Sequence, residues 1–496
     1  MQTTHEPNVQ EILNLMRHPS EEDVALIKKA YEFAKKAHGD TKRFSGEPYF
    51  THVFETAKNL AIFGMDPRSV AAGLLHDTIE DGHVTADELK KEFDEEILFL
   101  VEGVTKLGKL KYRGLERHAE SLRKLFVATA KDARVIIIKL ADRLHNIKTL
   151  GGHPEKEKRE RIAFETLEIF APLADRLGMG VLKGELEDYA FMYAYPEDYK
   201  KVTGLMIRRR DEHMKYLEKF HRSLQVELAL QGIKDVKIGH RVKHLYSLYK
   251  KLQRKNMDIS EIYDVTALRV ITKTVGECYQ ILGIIHSIWK PLPGRIKDYI
   301  ALPKPNGYQS IHTTVFTGDG GIVEVQIRTE EMHRDAEYGV ASHLAYKSGY
   351  FDKMSAPNDN PMLRKKLGWI EELMTWQENV SGNKEFLKEL KMNFFKNRVF
   401  VFTPKGDTIE LPEDSTPIDF AFLIHSDVGY HVAGARINYK MVSLDTTLKN
   451  GDIVEILTRK NAQPTQKWIG YAKTSAAQRH IRAWLIKNKK YEGDES

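Results

Sequence analysis

The sequence has little of several features that would assign it to a common protein class. Its 496 residues include one cysteine, Cys278, which excludes an intramolecular disulfide and a cysteine-based zinc finger and fits a reducing cytoplasm. No run of about 18 apolar residues occurs, so no membrane span is expected. The N-terminal stretch MQTTHEPNVQEIL has no basic start followed by an apolar core, so no secretory signal is predicted. We therefore expect a cytoplasmic protein without a membrane partner.

The net charge is small, and low-complexity sequence is missing. The formal net charge is only +6, which by itself does not require a nucleic-acid partner. Internal repeats and low-complexity tracts are absent. Hydrophobic residues make up 42% of the chain, a content typical of globular domains, and the length suffices for several of them.

The first part of the chain is predicted to be helical. Apolar residues recur at three- and four-residue spacing in EEDVALIKKAYEFAKKAH, ADELKKEFDEEILFLVEGVTKL and RIAFETLEIFAPLADRLG. Strand signals are nearly absent apart from the short stretch ARVIIIKLADRL. We predict an all-helical domain over residues 1–195 and a helical connector over 196–225.

The hydrophobic period changes after the connector. VTALRVIT, IHTTVF and GIVEVQIRT are β-branched runs that enclose a helical pattern, VGECYQILGIIHSIW, and predict an α/β domain over 226–350. Residues 351–396 are predicted to be a loop and helical linker, with a mobile loop at 351–362. RVFVFTPKGDTIELP predicts a hairpin that turns at Lys405-Gly406-Asp407, within a β-rich module over 397–460. A helical start and a polar tail follow over 461–496.

One histidine and acid cluster, His76-Asp77 in LLHDTIED, admits two interpretations. It is either a helix end whose charges are solvated or part of a metal site. His52 and Asp142 are candidate partners, because two histidines and two carboxylates suit manganese, iron or zinc better than calcium. Such an ion would acidify water for hydrolysis. If the helix continues, Glu80 lies on the same face as His76, beside the metal, as a base or water-positioning group.

A second group of polar residues lies in GRIKDYIALPKPNGYQSIHTTV. Its cationic side chains could bind phosphate groups, and Tyr308, predicted to be exposed, could stack on a nucleobase. A basic surface loop without a ligand would have the same composition. The basic side chains are Arg295, Lys297, Lys304 and His312. Asp264, before one predicted strand, and Glu324, within another, add carboxylates that can hold Mg²⁺ for phosphoryl-type transfer.

Together, HDTIED, KRFSGEPYFTH and LADRLHNIKTL resemble the HD-type hydrolase domain of the long RelA/SpoT homologue enzymes, which make and hydrolyse the alarmones ppGpp and pppGpp. The resemblance covers nearly the whole chain. It implies a Mn²⁺ site and a water-activating acid pair, with further contacts to guanine and ribose. The implied metal ligands are His52, His76, Asp77 and Asp142, the acid pair is Glu80 and Asp81, the residue that packs on guanine is Arg43, and the ribose-side contact is Asn146.

The second constellation resembles the synthetase domain of the same family, where ATP donates its β,γ-pyrophosphate to the 3′-hydroxyl of GDP or GTP. Tyr308 would stack on the acceptor guanine, Asp264 would bind Mg²⁺, and Glu324 would bind Mg²⁺ or polarise the 3′-hydroxyl. The implied ATP-side residues are Arg241, Lys243 and Lys251, and the implied phosphate contacts are Lys297, Lys304 and His312. Arg295-Ile296-Lys297-Asp298 matches the motif of relatives with an active hydrolase, which favours a bifunctional enzyme.

The β-rich segment resembles a TGS domain, which in long relatives contacts uncharged tRNA on the ribosome. The family often has Gly-His-Arg where this chain has Gly429-Tyr430-His431, a departure that weakens the tRNA prediction, although Tyr430 could stack on a base. The expected architecture is thus an all-α HD-type domain, an α/β nucleotidyltransferase-like domain and a small β-grasp TGS domain. Two alternatives stay open: a hydrolase with a weak or regulatory synthetase domain, and a ribosome- or tRNA-binding regulator with relic sites.

Overall fold

A computed structural model shows how the chain folds into two compact units, Met1–Glu378 and Asn379–Ser496. The structure describes residues 6–82, 84–105, 114–259, 262, 265–304, 306–318, 320–344, 367–371, 373–374, 382–383, 386, 390 and 398–492. The predicted loop at 351–362 and most of the predicted linker therefore lie outside the described residues. Among the described helices, none is both long enough and apolar enough to cross a bilayer.

The first part of the first unit is helical, as predicted. Its helices are α1 Val9–Leu15, α2 Glu21–His38, α3 Tyr49–Ile62, α4 Pro67–Leu75, α5 Ala86–Glu92, α6 Glu95–Val104, α7 Gly114–Lys131, α8 Arg134–Lys148, α9 Lys156–Glu165, α10 Ala171–Arg176, α11 Gly180–Ala194 and α12 Pro196–Leu230, with further helical turns at Leu150–Gly152 and Thr166–Phe170. The predicted connector is the single long helix α12, which extends past residue 225.

The stretch with a strand-like sequence, ARVIIIKLADRL, forms most of α8. Val135 through Ile138 are fully buried, because α8 packs against α3, α6, α7 and α11. Burying each of these aliphatic side chains contributes about 1.5–3 kcal/mol. That burial outweighs the β-propensity of valine and isoleucine, which depends on context.

Three helices, α3, α4 and α8, pack closely enough to bring together polar side chains from the start of α3, the end of α4 and the middle of α8. α4 begins at a well-defined cap, where Asp66 accepts a hydrogen bond from the backbone N–H of Ser69 at 3.1 Å. Gly73 permits the contact between α4 and α3, since a Cβ there would lie 2.5 Å from Leu60 Cδ1 and 3.3 Å from Ala57 Cα. The close approach places the C-terminal end of α4 beside α3.

The second part of the first unit is a five-stranded sheet with helices. Its elements are β1 Lys237–Val242, α13 Leu245–Gln253, β2 Thr266–Thr272, α14 Val275–Ile288, β3 Lys297–Asp298, β4 Ile311–Phe316, β5 Ile322–Thr329, α15 Glu330–Tyr338 and α16 Val340–Leu344. The strand order is β1-β2-β5-β4-β3, with β2 and β5 parallel and the other pairs antiparallel. Buried residues of α12 and α14, among them Leu224 and Ile281, form one core with the sheet. The predicted α/β domain is confirmed.

The second unit contains the predicted β-rich module with helices inserted. Its elements are β6 Arg398–Phe402, β7 Thr408–Pro412, α17 Pro417–Ile424, α18 Ser426–Tyr430, β8 Val432–Ile437, β9 Lys440–Val442, β10 Val454–Thr458, α19 Trp468–Tyr471 and α20 Ser475–Glu492. The hairpin of β6 and β7 turns where expected, because Gly406 has a φ of +90° that favours glycine. The helices α17 and α18 were not predicted.

Candidate active sites

Four predicted metal ligands come together where α3, α4 and α8 meet. One ligand atom from each of His52, His76 and Asp142 lies within 4.8 Å of the others, and all three residues are buried. His52 Nε2 is 3.2 Å from Asp142 Oδ1, and His76 Nε2 is 3.9 Å from the same atom. Asp77 Oδ2 lies 3.5 Å from His52 Nε2 and 3.3 Å from His76 Nε2. The group is a compact mixed nitrogen and oxygen set.

The tautomer of His76 suits this group to a divalent cation. Its Nδ1 lies 2.8 Å from the Gly73 carbonyl oxygen, which can only accept, so Nδ1 carries a proton, and in the neutral imidazole that a metal requires Nε2 is the nitrogen with the lone pair. Among the described atoms this Nε2 is buried without a hydrogen bond of good geometry. A histidine whose second nitrogen donates to a carbonyl is the usual arrangement of a metal ligand. The donor set therefore fits a divalent metal site.

The surroundings of the two carboxylates of the group favour their ionised form. Although burial opposes ionisation, the imidazoles of His76 and His52 hold the pKa of Asp77 well below its usual value. Against the same effect of burial, Lys139 and the two histidines lower the pKa of Asp142. Carboxylate oxygens beside imidazole nitrogens suit manganese, iron or zinc.

Three further residues contact the predicted ligands and were missed in the sequence. Lys139 Nζ donates to Asp142 Oδ2 at 2.8 Å. Tyr49 Oη lies within 2.9 Å of Asp77 and 2.8 Å of Asp81, and His145 lies beside His52. Each stands three residues from a predicted ligand on the same helix, and this spacing could have identified them.

The helix does not continue beyond His76, so the condition for placing Glu80 on the same face as His76 is not met. α4 ends at Leu75, and the next residues form turns in which both the backbone N–H and the hydroxyl of Thr78 donate to the Leu75 carbonyl, at 3.0 and 2.7 Å. A side chain that bonds to nearby backbone in this way competes with the helix. The helical-face argument for Glu80 therefore does not hold. Glu80 is half-buried and interacts electrostatically with Lys124, whereas Asp81 is joined to Asp77 through Tyr49.

The predicted substrate contacts Arg43 and Asn146 lie beside the metal cluster. Arg43 Nη2 donates to Asn146 Oδ1, and Arg43 Nη1 donates to Thr149 Oγ1 at 2.9 Å. Asn146 Nδ2 in turn donates to Asp142 Oδ1 at 2.5 Å. The half-buried guanidinium is thus held next to the cluster and keeps some exposure to solvent.

A second polar group spans strands β1, β4 and β5 of the sheet. His312 Nδ1 lies 3.1 Å from Glu324 Oε1, which also accepts from Gln326 Nε2 at 3.0 Å. Arg241 Nη1 donates to Gln326 Oε1 at 3.2 Å. Burial lowers the pKa of His312 even though Glu324 acts in the opposite direction. A neutral His312 that donates from Nδ1 leaves its Nε2 as an acceptor.

Tyr308 was predicted to be exposed and is instead half-buried. Its hydroxyl lies 2.8 Å from His312 Nε2, the accepting nitrogen, so the tyrosine donates. The ring packs edge-on against Tyr299 with centroids 6.0 Å apart, and Lys304 Nζ lies 5.0 Å from the ring centroid. These neighbours, which come from other parts of the same loop, reduce the exposure of the ring.

The remaining predicted residues of this site differ in placement. Asp264 lies outside the described residues. Lys251, Arg295 and Lys297 are exposed, and Lys243 is half-buried with its backbone N–H bonded to the Val265 carbonyl at 3.0 Å. The structure thus joins Arg241, Glu324, Tyr308 and His312 into one network and leaves the other cations at its surface.

Positive charge accumulates around this network. The pKa of Lys304 is lowered to about 8, mainly by desolvation of its ammonium group and also by the nearby cations Lys183, Lys297 and Arg241. Asp175 acts in the opposite direction. The residue as a whole retains exposed surface. Two arginines that the sequence analysis did not single out, Arg269 and Arg328, share the carboxylate of Glu337 at 3.1 and 3.3 Å. Such a concentration of cations suits phosphate groups.

The residues that replace Gly-His-Arg in the second unit take part in packing. The Tyr430 hydroxyl lies 3.1 Å from His480 Nδ1, and its ring packs edge-on against Phe422. His431 Nδ1 donates to the Asp427 carbonyl at 2.8 Å. Both side chains already have partners, which makes Tyr430 less suited to stacking on a base.

Three family models match the chain. An HD domain matches residues 30–180, a region found in RelA / SpoT proteins matches residues 240–350, and a TGS domain matches residues 399–458. The HD match and the histidine and aspartate cluster together indicate a divalent metal site in the helical region.

Curated relatives are similar over nearly the whole chain. A guanosine-3′,5′-bis(diphosphate) 3′-pyrophosphohydrolase of Aquifex aeolicus is 48% identical over 94% of this chain and 65% of its own length. A GTP pyrophosphokinase of Myxococcus xanthus is 46% identical over 94% of this chain and 61% of its own. A guanosine-3′,5′-bis(diphosphate) 3′-pyrophosphohydrolase of Borreliella burgdorferi is 42% identical over 93% of this chain and 68% of its own. The chain thus spans somewhat less than two thirds of the first two relatives.

Proposed function

Because the chain belongs to the RelA/SpoT family, we propose that it is a bifunctional alarmone enzyme of the stringent response. One reaction transfers the β,γ-pyrophosphate of ATP to the 3′-hydroxyl of GDP or GTP, which yields ppGpp or pppGpp and AMP. The other adds water to the 3′-diphosphate and returns GDP or GTP plus pyrophosphate. The names of the relatives support both reactions, since one is called a pyrophosphohydrolase and another a pyrophosphokinase.

The observation that carries this proposal is the presence of two separate polar constellations in one chain. The first is built by α3, α4 and α8 around His52 and Asp142. The second is built by the sheet around His312 and Glu324. A regulator with relic sites would have no need to keep both networks hydrogen-bonded.

In the hydrolase, His52, His76, Asp77 and Asp142 would hold Mn²⁺. A bound divalent ion supplies an acidified water and positive charge beside the phosphate oxygens. Glu80 and Asp81 would take the proton of the attacking water, and Tyr49 holds Asp81 at 2.8 Å. Arg43 would pack on guanine and Asn146 would contact the ribose side, since the two are already hydrogen-bonded beside Asp142.

In the synthetase, Tyr308 would stack on the acceptor guanine, and Glu324 would orient the 3′-hydroxyl or, together with Asp264, hold Mg²⁺. Carboxylate oxygens are the ligands that Mg²⁺ prefers, and the ion neutralises charge on the transferred group. Arg241, with Lys243 and Lys251, would line the ATP side. The residues proposed to contact phosphates are Arg295, Lys297, Lys304 and His312.

The TGS match supports a further, weaker proposal, that the chain contacts the ribosome or uncharged tRNA in the cytoplasm, where its nucleotide substrates occur. The side chains of Tyr430 and His431 are engaged in packing, so such a contact would need other residues of the second unit. Ribosome cosedimentation of the pure protein, with and without uncharged tRNA, tests it.

Two assays on the purified protein test the proposed function. Labelled ppGpp is incubated with Mn²⁺, and ATP plus labelled GDP is incubated with Mg²⁺, and chromatography separates the products. We expect both products from the wild type. Asp77→Ala should abolish pyrophosphate release and leave synthesis intact, and Glu324→Gln should have the opposite effect, because the two residues belong to different constellations.

Asp87→Ala, which removes an exposed carboxylate of α5, is the matched control and should leave both reactions unchanged. Hydrolysis without synthesis would contradict the bifunctional proposal and leave a hydrolase with a weak synthetase domain. Absence of both products would leave a regulator with relic sites. Near-wild-type hydrolysis by Asp77→Ala after chelation and return of Mn²⁺ would show that the ligand assignment is wrong.

A further inference from the structure

We propose that His145 is a positioning residue that fixes the tautomer of His52 and joins this metal ligand to Arg43. The inference rests on the proposed hydrolase function, because it assigns His52 to the metal and Arg43 to the nucleotide. His145 lies on α8, three residues after Asp142, and is 6% exposed. Its ring packs against that of His52 with centroids 5.0 Å apart.

The geometry around His145 Nδ1 determines which atoms carry protons. This nitrogen lies 2.8 Å from His52 Nδ1 and 3.2 Å from Arg43 Nη1. An arginine guanidinium can donate hydrogen bonds and cannot accept them, so His145 Nδ1 must be an acceptor towards Arg43. A nitrogen that already acts as an acceptor cannot also donate to His52.

His52 must therefore donate from Nδ1, so in the neutral ring Nε2 is the nitrogen that carries the lone pair. That Nε2 lies 3.2 Å from Asp142 Oδ1 and 3.5 Å from Asp77 Oδ2, within the cluster. His145 thus has for His52 the role that the Gly73 carbonyl has for His76. Partners of this kind orient a ligand, and their loss weakens metal affinity by roughly 10- to 100-fold.

Arg43 reaches the cluster by a second route as well. It donates to Asn146 Oδ1, and Asn146 Nδ2 donates to Asp142 Oδ1 at 2.5 Å. The group proposed to contact guanine is therefore hydrogen-bonded to two residues, each of which holds a metal ligand. If binding at one end orders this network, binding at the other end is strengthened by the same factor.

Two substitutions separate the hydrogen-bonding role of His145 from simple packing. His145→Phe keeps the planar ring and removes the acceptor. His145→Asn shortens the side chain but returns a carbonyl oxygen close to the position of Nδ1. The dissociation constant for Mn²⁺ is measured by electron paramagnetic resonance without nucleotide. We expect His145→Phe to bind Mn²⁺ about 10- to 100-fold more weakly than the wild type and His145→Asn to recover most of the affinity.

His286→Asn is the matched control, since it replaces a half-buried histidine of the sheet region that bonds to Thr313 at 2.8 Å, and it should leave Mn²⁺ affinity unchanged. Turnover of ppGpp provides a second measurement. Because Arg43 also loses an acceptor, His145→Phe should raise KM for ppGpp at saturating Mn²⁺. The double variant Arg43→Ala/His145→Phe should raise KM by less than the product of the two single effects.

Wild-type Mn²⁺ affinity in His145→Phe, or equal losses in the Phe and Asn variants, would overturn the acceptor role. If His145→Phe does not fold, the ¹⁵N chemical shifts of the histidines in the wild type provide the test. We expect His52 Nδ1 to be protonated and His145 Nδ1 to be unprotonated. The reverse arrangement would contradict the inference. A wild type whose Mn²⁺ affinity depends on His145 but which does not cleave ppGpp would refute the proposed function alone. A wild type that binds no Mn²⁺ would refute both.

Discussion

The hydroxyl of Tyr49 lies 2.9 Å from Asp77 Oδ2 and connects this proposed metal ligand to the acidic pair that follows it. The same oxygen is 2.8 Å from Asp81 Oδ2, and the tyrosine ring is stacked on the buried His38 with centroids 4.9 Å apart. The single hydroxyl proton of Tyr49 can be donated to either carboxylate, so the hydroxyl bridges two groups with different proposed roles.

We predict that Tyr49→Phe lowers the rate of ppGpp hydrolysis about 10- to 100-fold, because a hydrogen bond to a charged group contributes about 1.5–3 kcal/mol. Synthesis from ATP and GDP should not change. Tyr31→Phe is the control, since it removes another tyrosine hydroxyl of the helical region, one that donates to the Pro7 carbonyl at 2.6 Å. Equal hydrolysis rates in the wild type and Tyr49→Phe would show that the bridge is not needed.

For Tyr308, the structure predicts that both the ring and the hydroxyl contribute to synthesis. Tyr308→Ala should weaken use of GDP by about 1–3 kcal/mol, the range for one base stacked on an aromatic ring. Tyr308→Phe keeps the ring but loses the 2.8 Å hydrogen bond to His312, which should cost about 0.5–1.5 kcal/mol. The values of kcat/KM for GDP at saturating ATP measure both effects. A Phe variant as poor as the Ala variant would argue against stacking.

The pH dependence of synthesis should reflect Lys304. Its pKa is lowered to about 8, so the side chain is cationic below that pH and loses its charge above it. If Lys304 contacts phosphate, kcat/KM for nucleotide should fall as the pH rises through about 8, since kcat/KM reports groups of the free enzyme. Lys304→Arg keeps the charge and should remove this alkaline decline. An unchanged decline in the Arg variant would assign it to another group.

Hydrolysis should respond to occupancy of the synthetase site, because the helical part and the sheet part of the first unit are in direct contact. Gly184 of α11 packs against His244, so closely that a Cβ would lie 2.1 Å from His244 Nε2, and the Leu177 carbonyl accepts the N–H of Val340 at 2.9 Å. We predict that a non-reactive ATP analogue plus GDP suppresses ppGpp hydrolysis at saturating Mn²⁺. The suppression requires that these nucleotides bind the two states with different affinity.

Gly184→Ala should reduce that suppression at least several-fold while leaving both basal reactions measurable, because the added methyl group separates the two surfaces. Gly204→Ala, within α12, has no atom within 4 Å of the added Cβ and should behave as the wild type. A hydrolysis rate that stays flat as the analogue is added to the wild type would indicate two independent enzymes on one chain.

Local pattern was sufficient to predict most elements of the fold. The β-branched runs became β2, β4 and β5, and the turn at Gly406 formed where a glycine-containing hairpin signal stood. The isoleucines of α8 are helical, as the all-helical prediction required, because other helices bury a stretch whose sequence resembles a strand. The predicted exposure of Tyr308 is wrong, because Lys304 and Tyr299 of the same loop cover its ring. The chain turns after His76 because Thr78 bonds to Leu75, so the condition placed on Glu80 is not met.

For the sites, the sequence by itself determined which chemical groups are available, because residue type and family motif identify histidines, carboxylates and cations as donors. It could not determine protonation or partnership, since these depend on atoms that only folding brings together. His52 lies on α3, His76 directly follows α4, and Asp142 lies on α8. The Nε2 atoms of the two histidines face one cluster because the Gly73 carbonyl and His145 accept hydrogen bonds from Nδ1 on the opposite side of each ring. A hydrogen bond weakens steeply with distance and angle, so only tertiary packing that brings two atoms to about 3 Å decides which partners a histidine nitrogen has. The partner then decides whether that nitrogen donates or accepts.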